Sequence, residues 1–504
     1  MAKAFPPDEP YLQGYFAPLV AECDAANLPI TGEIPRALNG RLYRNGPNPQ
    51  FAPRGPYHWF AGDGMLHAFH VEDGRVAYRN RWVQTPKWQL ERAVGEGLSG
   101  AFNNPRFSDP RIVALQSTVA NTNVVWHAGR LLALEEAHAP FEVDPITLAP
   151  RGEHRFADKL RGPMTAHPKL DPVTGEMVFF GYASAGRFTP DVMLQVADAS
   201  GVLQRSQHLQ APFASMVHDF VVSRRWIILP IFPLTGSMDR AMRGAPPYAW
   251  EPDRGTHVAL IPRDGVGSGG GDVRWFDADP CYVFHTLNAY DLPDGRVVCD
   301  LLKYPVAPLF PLPDGRPSSA QAPQARLVRW TFDPDGASRS FTETALDDHS
   351  AEFPRLDERF TGLPYRHGYL QGGVADGRAD QRSAADVRSG QSSRNGRNGL
   401  LHIDLHTGRT QHWQPGSRDQ CGEPVFVPSR PDAPEGDGFL LSVVFRAETG
   451  CSDLAVFDAS QLQAGPLALA HLSHRVPAGF HGNWCSLGSA KWAPDRAART
   501  AQPD

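Results

Sequence analysis

Four histidines stand where an imidazole would be partly buried. They are His167 in TAHPKLDP, His218 in SMVHDFVV, His285 in CYVFHTLNAY and His481 in GFHGNW, each at the edge of an apolar or aromatic run. Burial favours the neutral ring, and neutral imidazole is the commonest metal ligand. The chain has 19 histidines, so local context has to select among them. The intervals between the four are long and unequal, and no HExxH motif occurs, so no local zinc signature is present. Taken singly, each is more ordinarily a buried histidine held by backbone hydrogen bonds. Spacing alone makes no metal site.

Three glutamates share that setting: Glu136 in LLALEEAHAP, Glu352 in SAEFPRL and Glu423 in CGEPVFV. A buried carboxylate must be paired or hydrogen-bonded. Accepting the second ring N–H of a metal-bound histidine is one way to meet that need. A solvent-facing or backbone-capping glutamate is the usual alternative.

Residues scattered this widely need a fold that returns the chain many times to one place. Short β-rich runs recur at 177–182 (MVFFGY), 220–222, 226–230 (WIILP), 296–301, 325–332 and 439–445 (FLLSVVF). Asp73-Gly74, Asp294-Gly295, Asp314-Gly315 and Asp335-Gly336, with clusters at 171–175 and 404–408, mark hairpin turns. Helical patterns are few, the best at 88–98 and 236–243. With 47 Gly and 47 Pro in 504 residues, this points to an all-β propeller, barrel or set of sandwiches. Segments 264–271, 314–324 and 375–399, and the tail after 492, are expected to be mobile insertions, because they lack apolar content.

The formal charge is −6, with 49 Lys and Arg against 55 Asp and Glu. No basic stripe suggests a nucleic-acid partner. The six cysteines form no CxxC pair, so reduced thiols in a cytosolic protein are expected. No signal-peptide pattern and no run near 18 apolar residues is present. The apolar segments 229–234 (LPIFPL) and 305–311 (PVAPLFP) are candidates to line an entrance or touch a membrane surface, with buried loop packing as the alternative. The oligomeric state is not set by the sequence.

Over nearly its whole length the sequence resembles the carotenoid cleavage oxygenase family, particularly its bacterial members. The resemblance is carried by 40–49 (GRLYRNGPNP), 60–69 (FAGDGMLHAF), 121–123 (NTN), 165–168 (TAHP), 217–220 (VHDF), 352–354 (EFP) and 431–438 (PDAPEGDG), in the family's order. It implies a seven-bladed β-propeller with an iron on the axis and a dome of loops and helices over it. His167, His218, His285 and His481 would be the Fe(II) ligands, and Glu136, Glu352 and Glu423 the carboxylates behind them. Seven four-stranded blades at roughly 45 residues each take about 315 residues. The remainder serves cap and insertions, so 1–504 reads as one domain rather than the three that length alone suggests.

The implied reaction is oxidative cleavage of a carbon–carbon double bond with O2, giving two carbonyl products. Four imidazoles on a six-coordinate ion leave two open positions, as dioxygen chemistry needs. The protein's share would be ligation, positioning and exclusion of water. Stilbene-cleaving relatives ionise a substrate phenol with a Tyr and a Lys; the matching positions here are Phe102 and Glu135. That departure points to an apolar carotenoid or apocarotenoid as substrate. The alternatives are a lignostilbene- or phenylpropenoid-cleaving dioxygenase, a non-oxidative retinoid isomerohydrolase, and a polyene-binding propeller without turnover.

Overall fold

The computed structural model describes residues 3–102, 104–267, 272–373 and 398–486. Strands dominate, and among the described residues they form seven antiparallel blade sheets of a propeller and one separate two-stranded ribbon. Blade II is Asn123–His127, Arg130–Leu134, Phe141–Val143 and Pro150–Glu153. Blades III and IV begin with the short inner strands Lys169–Leu170 and Val221–Val222. Blades V and VI begin with Tyr282–Asp291 and Ser350–Arg355. Blade VII centres on Gly438–Arg446 and takes in Ile30–Gly32 from the N-terminal region.

Blade I closes the ring. Its strand Gly40–Pro47 lies between Gly64–Glu72 and the late strand Gly482–Ser486, with Arg44 opposite Gly482. Both ends of the described chain are therefore hydrogen-bonded into shared sheets.

Burial follows the blade geometry. The middle strand Met177–Tyr182 is buried at every residue, because neighbouring blades cover both its faces. The outer strands Thr342–Ala345 and Pro150–Glu153 are polar and mostly exposed, as sheet edges usually are. The apolar clusters sit between blades: Phe69 and Val76 of blade I meet Leu441 and Val456 of blade VII. Trp126 and Phe141 of blade II meet Tyr43 and Leu66 of blade I. The Asp73-Gly74 turn works as its sequence predicts, both residues taking positive φ (49° and 75°) in a two-residue hairpin.

Several strands match the sequence expectation closely: 177–182 is identical, and 226–230 extends to Trp226–Ile231. The helices shift. The expected 88–98 helix runs Pro86–Val94, capped by the Thr85 side chain and ended by Gly95 at φ 83°. The expected 236–243 helix is Met238–Met242, and Pro110–Leu115 adds one with no counterpart in the sequence reading. These helices, with the ribbon Leu234–Gly236/Tyr248–Trp250, lie outside the blades. Lys87 of the first helix donates to Asp63 (2.6 Å) and Glu91 (2.8 Å), so a buried charged pair ties that helix to the FAGDG loop.

For residues 229–234 the structure selects the buried alternative: they are buried, Phe232 being 2% exposed, and cannot face lipid. The 305–311 stretch divides, Leu309 exposed and Phe310 buried. Residues of the expected 314–324 insertion border the central cavity. The 375–399 insertion lies almost entirely outside the described residues, as do 268–271 and the tail.

The contact between blades I and VII generates a test. Phe69→Ala should cost about 3–5 kcal/mol and lower the urea midpoint. Val20→Ala at an exposed position should stay within about 0.5 kcal/mol of the parent.

Candidate metal centre and the cavity above it

Each of the seven blades brings one of the seven singled-out residues to the axis. His167 and His218 lie two and three residues before the inner strands of blades III and IV, and His481 directly precedes the closing strand of blade I. His285 lies inside the inner strand of blade V, where the register with the next strand slips between Val283 and Thr286. Such bulges re-aim a side chain. The glutamates come from the three remaining blades: Glu136 from II, Glu352 from VI and Glu423 from VII.

One ring nitrogen from each histidine falls within 4.8 Å of all the others, and all four residues are buried. His167 Nε2 and His218 Nε2 are 3.0 Å apart. The opposite nitrogens of three rings are committed. Nδ1 of His218 donates to Glu136 (2.7 Å), Nδ1 of His285 to Glu352 (2.5 Å) and Nδ1 of His481 to Glu423 (2.8 Å). A carboxylate can only accept here, so these rings carry the proton on Nδ1 and present the Nε2 lone pair inward. Among the described residues, no carboxylate bonds His167.

The glutamates are held in turn. Tyr182 donates to Glu136 (2.7 Å) and Tyr304 to Glu352 (2.8 Å). Glu423 accepts the Gly482 N–H (2.8 Å) and pairs with Arg355 (3.0 Å). Phe353, beside Glu352, takes φ 49° within its strand, a strained conformation for a non-glycine residue. Its ring lies against His285 with centroids 5.2 Å apart.

Electrostatics separate the four rings. Burial and the other imidazoles hold His167 well below the ordinary histidine range. Burial takes His481 down to about 4, against the pull of Glu423. Burial also opposes charge on His218, but Glu136 outweighs it and the net direction is up. Glu423 is buried too, yet Arg355 and His481 hold its carboxyl down to about 2.

The donor set fits a transition-metal ion. His285 Nε2 is buried with no hydrogen-bond partner, an orphaned lone pair that a cation at the axis would satisfy. Four converging imidazoles suit iron, zinc, copper or nickel. Above them lies a cavity of about 1000 Å³ whose wall includes His218, His285 and His481 and both sequence-nominated pocket residues, Phe102 and Glu135.

Sequence reading did not assign Asp219, Tyr182, Tyr304 or Arg355. Asp219 accepts from Lys169 (2.7 Å) and from Thr286 N (2.7 Å), joining blades III, IV and V beside His218 and His285. Its position next to His218 in an apolar run was the available signal. The tyrosines end or follow apolar strands and carried none.

These positions predict metal retention. His167→Ala and His481→Ala should each lose stoichiometric metal on purification. Glu352→Gln should weaken affinity about 10–100-fold with unchanged circular dichroism. Full metal occupancy in both alanine variants would refute the ligand assignment.

Comparison with known proteins agrees with this architecture. The family model described as retinal pigment epithelial membrane protein matches residues 16–486. An isoeugenol monooxygenase of Pseudomonas putida is 39% identical over 486 residues, covering 96% of this chain and 99% of the relative. The crystal structure of a Pseudomonas brassicacearum lignostilbene dioxygenase superposes with a TM-score of 0.89 at 34% identity, covering 96% of this chain and 100% of that one. A Synechocystis apocarotenoid oxygenase variant gives 0.79 at 26% identity, covering 95% and 98%. With the family match spanning nearly the whole propeller, this chain belongs to the carotenoid cleavage oxygenase family and is a dioxygenase that cleaves carbon–carbon double bonds.

Proposed function

We propose that the four histidines hold iron(II) and that the substrate is an aryl-alkene, a phenylpropenoid or stilbene, cleaved by O2 into two carbonyl products. When bound, iron(II) supplies the activation of dioxygen. The chain's own side chains place the alkene, keep water away and fix the ligand rings.

The observation that carries the substrate class is the aromatic wall. His58 stacks on Phe102 at 5.1 Å, and Phe60 meets Phe102 and Phe480 edge-on, each at 5.6 Å. Phe60 also approaches Phe284, which packs on His218 at 5.3 Å. Rings at these angles offer a flat aromatic group both faces and edges.

The sequence argument against an aryl-alkene weakens on the geometry of Glu135. Glu135 accepts from His138 Nδ1 and from Ala137 N. Burial raises its carboxyl, but the His138 charge outweighs burial and the net direction is down. His138 goes up, Glu135 outweighing burial there too. The two form an internally compensated pair, so Glu135 presents no bare charge to repel a substrate oxygen. Phe102 still offers no hydrogen bond to a phenol, so ring stacking replaces phenol ionisation in this reading. The names of the isoeugenol- and lignostilbene-cleaving relatives support the same class.

A carotenoid or apocarotenoid is the second reading, supported by the size of the cavity and by a rim carrying the exposed Leu309. Iron-loaded protein should be given isoeugenol, a stilbene and an apocarotenal, with both products identified by mass spectrometry. The aryl-alkenes are expected to give paired carbonyl products with kcat/KM at least about 10-fold above the apocarotenal, a preference of the size one good pocket contact provides. Conversion of the apocarotenal alone would overturn the aryl-alkene reading in favour of the second.

A further inference from the structure

Away from the aromatic cluster, the cavity is walled by blades I and VII, and there it contains a buried cation. Arg44 lines the cavity and is 5% exposed. Its Nε is buried with no hydrogen-bond partner, and no carboxylate among the described residues pairs with its guanidinium. The groups around it cannot compensate it. Tyr15, whose hydroxyl it faces, is raised by burial despite Arg44 and stays neutral. His67 is pushed down to about 3 by burial and by Arg44, and its Nδ1 bonds the Tyr78 hydroxyl at 2.7 Å. Glu423 is already taken by Arg355 and His481.

An unpaired buried charge is costly, and here two glycines let the guanidinium pack directly against the backbone. A Cβ at Gly422 would stand 2.6 Å from Arg44 Nη1, and one at Gly479 would stand 3.3 Å from Nε. These glycines immediately precede Glu423 and closely precede His481, so the guanidinium sits beside the metal-centre residues.

We infer that Arg44 forms an anion subsite in the substrate cavity, which takes a carboxylate carried by the alkene substrate. The planar guanidinium suits a carboxylate in two-point contact. Exposed Arg418 at the cavity wall adds a second positive charge on the approach. The inference deepens the proposed function by naming a substituent on the substrate, and it rests on the reading that this cavity binds the alkene.

The test compares matched acids and esters by equilibrium binding to the metal-free full chain. The probes are stilbene-4-carboxylate and its methyl ester, and retinoate and its methyl ester. The parent protein should bind at least one acid on the order of 10- to 100-fold more tightly than its ester, the range of a charge-assisted hydrogen bond. Arg44→Gln should reduce that ratio to about 3 or less while leaving ester binding unchanged. Gly422→Ala, whose new methyl would displace the guanidinium, should reduce it in the same direction and decides the matter if Arg44→Gln does not fold. No acid preference in the parent, or a preference surviving either folded variant, overturns the subsite. Because both an aryl and a polyene acid are included, an Arg44-dependent preference for retinoate alone would uphold the subsite while the product assay rejects the aryl-alkene reading.

Discussion

A buried imidazole can aim a lone pair at the axis only if its other nitrogen keeps a proton with somewhere to point. Three glutamates meet that need for His218, His285 and His481, and each comes from a blade that supplies no histidine. The carboxylates are immobilised in their turn by Tyr182, Tyr304, Arg355 and the Gly482 amide. Ring orientation therefore depends on contacts between blades, and the closing strand of blade I carries the His481 end of that network. Ligand geometry and propeller closure are one constraint.

The same inner layer is stitched by polar side chains that the hydrophobic pattern does not require. Asn45 donates to the Ala120 and Asn123 carbonyls, and Asn123 donates to Ala166, the residue before His167. Asp219 bridges blades III, IV and V. Buried polar groups of this kind are costly unless fully bonded, and here the bonds run between neighbouring inner strands. Above them one side of the cavity wall is an aromatic cluster around Phe60, Phe102, Phe284 and Phe480, which excludes water there without adding competing ligands.

Much of the site was legible in the sequence because chemistry-bearing residue types stand out against apolar runs. His285 and Glu352 mark their own strands. What bound the four histidines into one centre was the family resemblance, since long unequal intervals contain no local geometry. Strands were legible where β-branched and aromatic runs end at turn residues, as at 177–182. The helices were displaced because their ends are set by caps, Thr85 and Gly95, more than by periodicity. The 229–234 run stayed ambiguous in sequence: apolar character is shared by lipid-facing and core segments, and only packing between blades places Phe232 inside. The role of Glu135 depended on His138 three residues on, a partner whose contact only the folded turn reveals.

The carboxylates behind the histidines have a further consequence, in charge neutrality. Every oxygen of Glu136, Glu352 and Glu423 is engaged by a hydrogen bond or an ion pair. Arg355 is shared between Glu423 and Glu358, so it does not by itself cancel the negative charge behind the histidines. A cation on the axis would thus be balanced from behind its ligands by carboxylates drawn from three different blades. Arg44, with Arg418 at the wall, then supplies the positive charge on the side of the chamber away from the aromatic cluster.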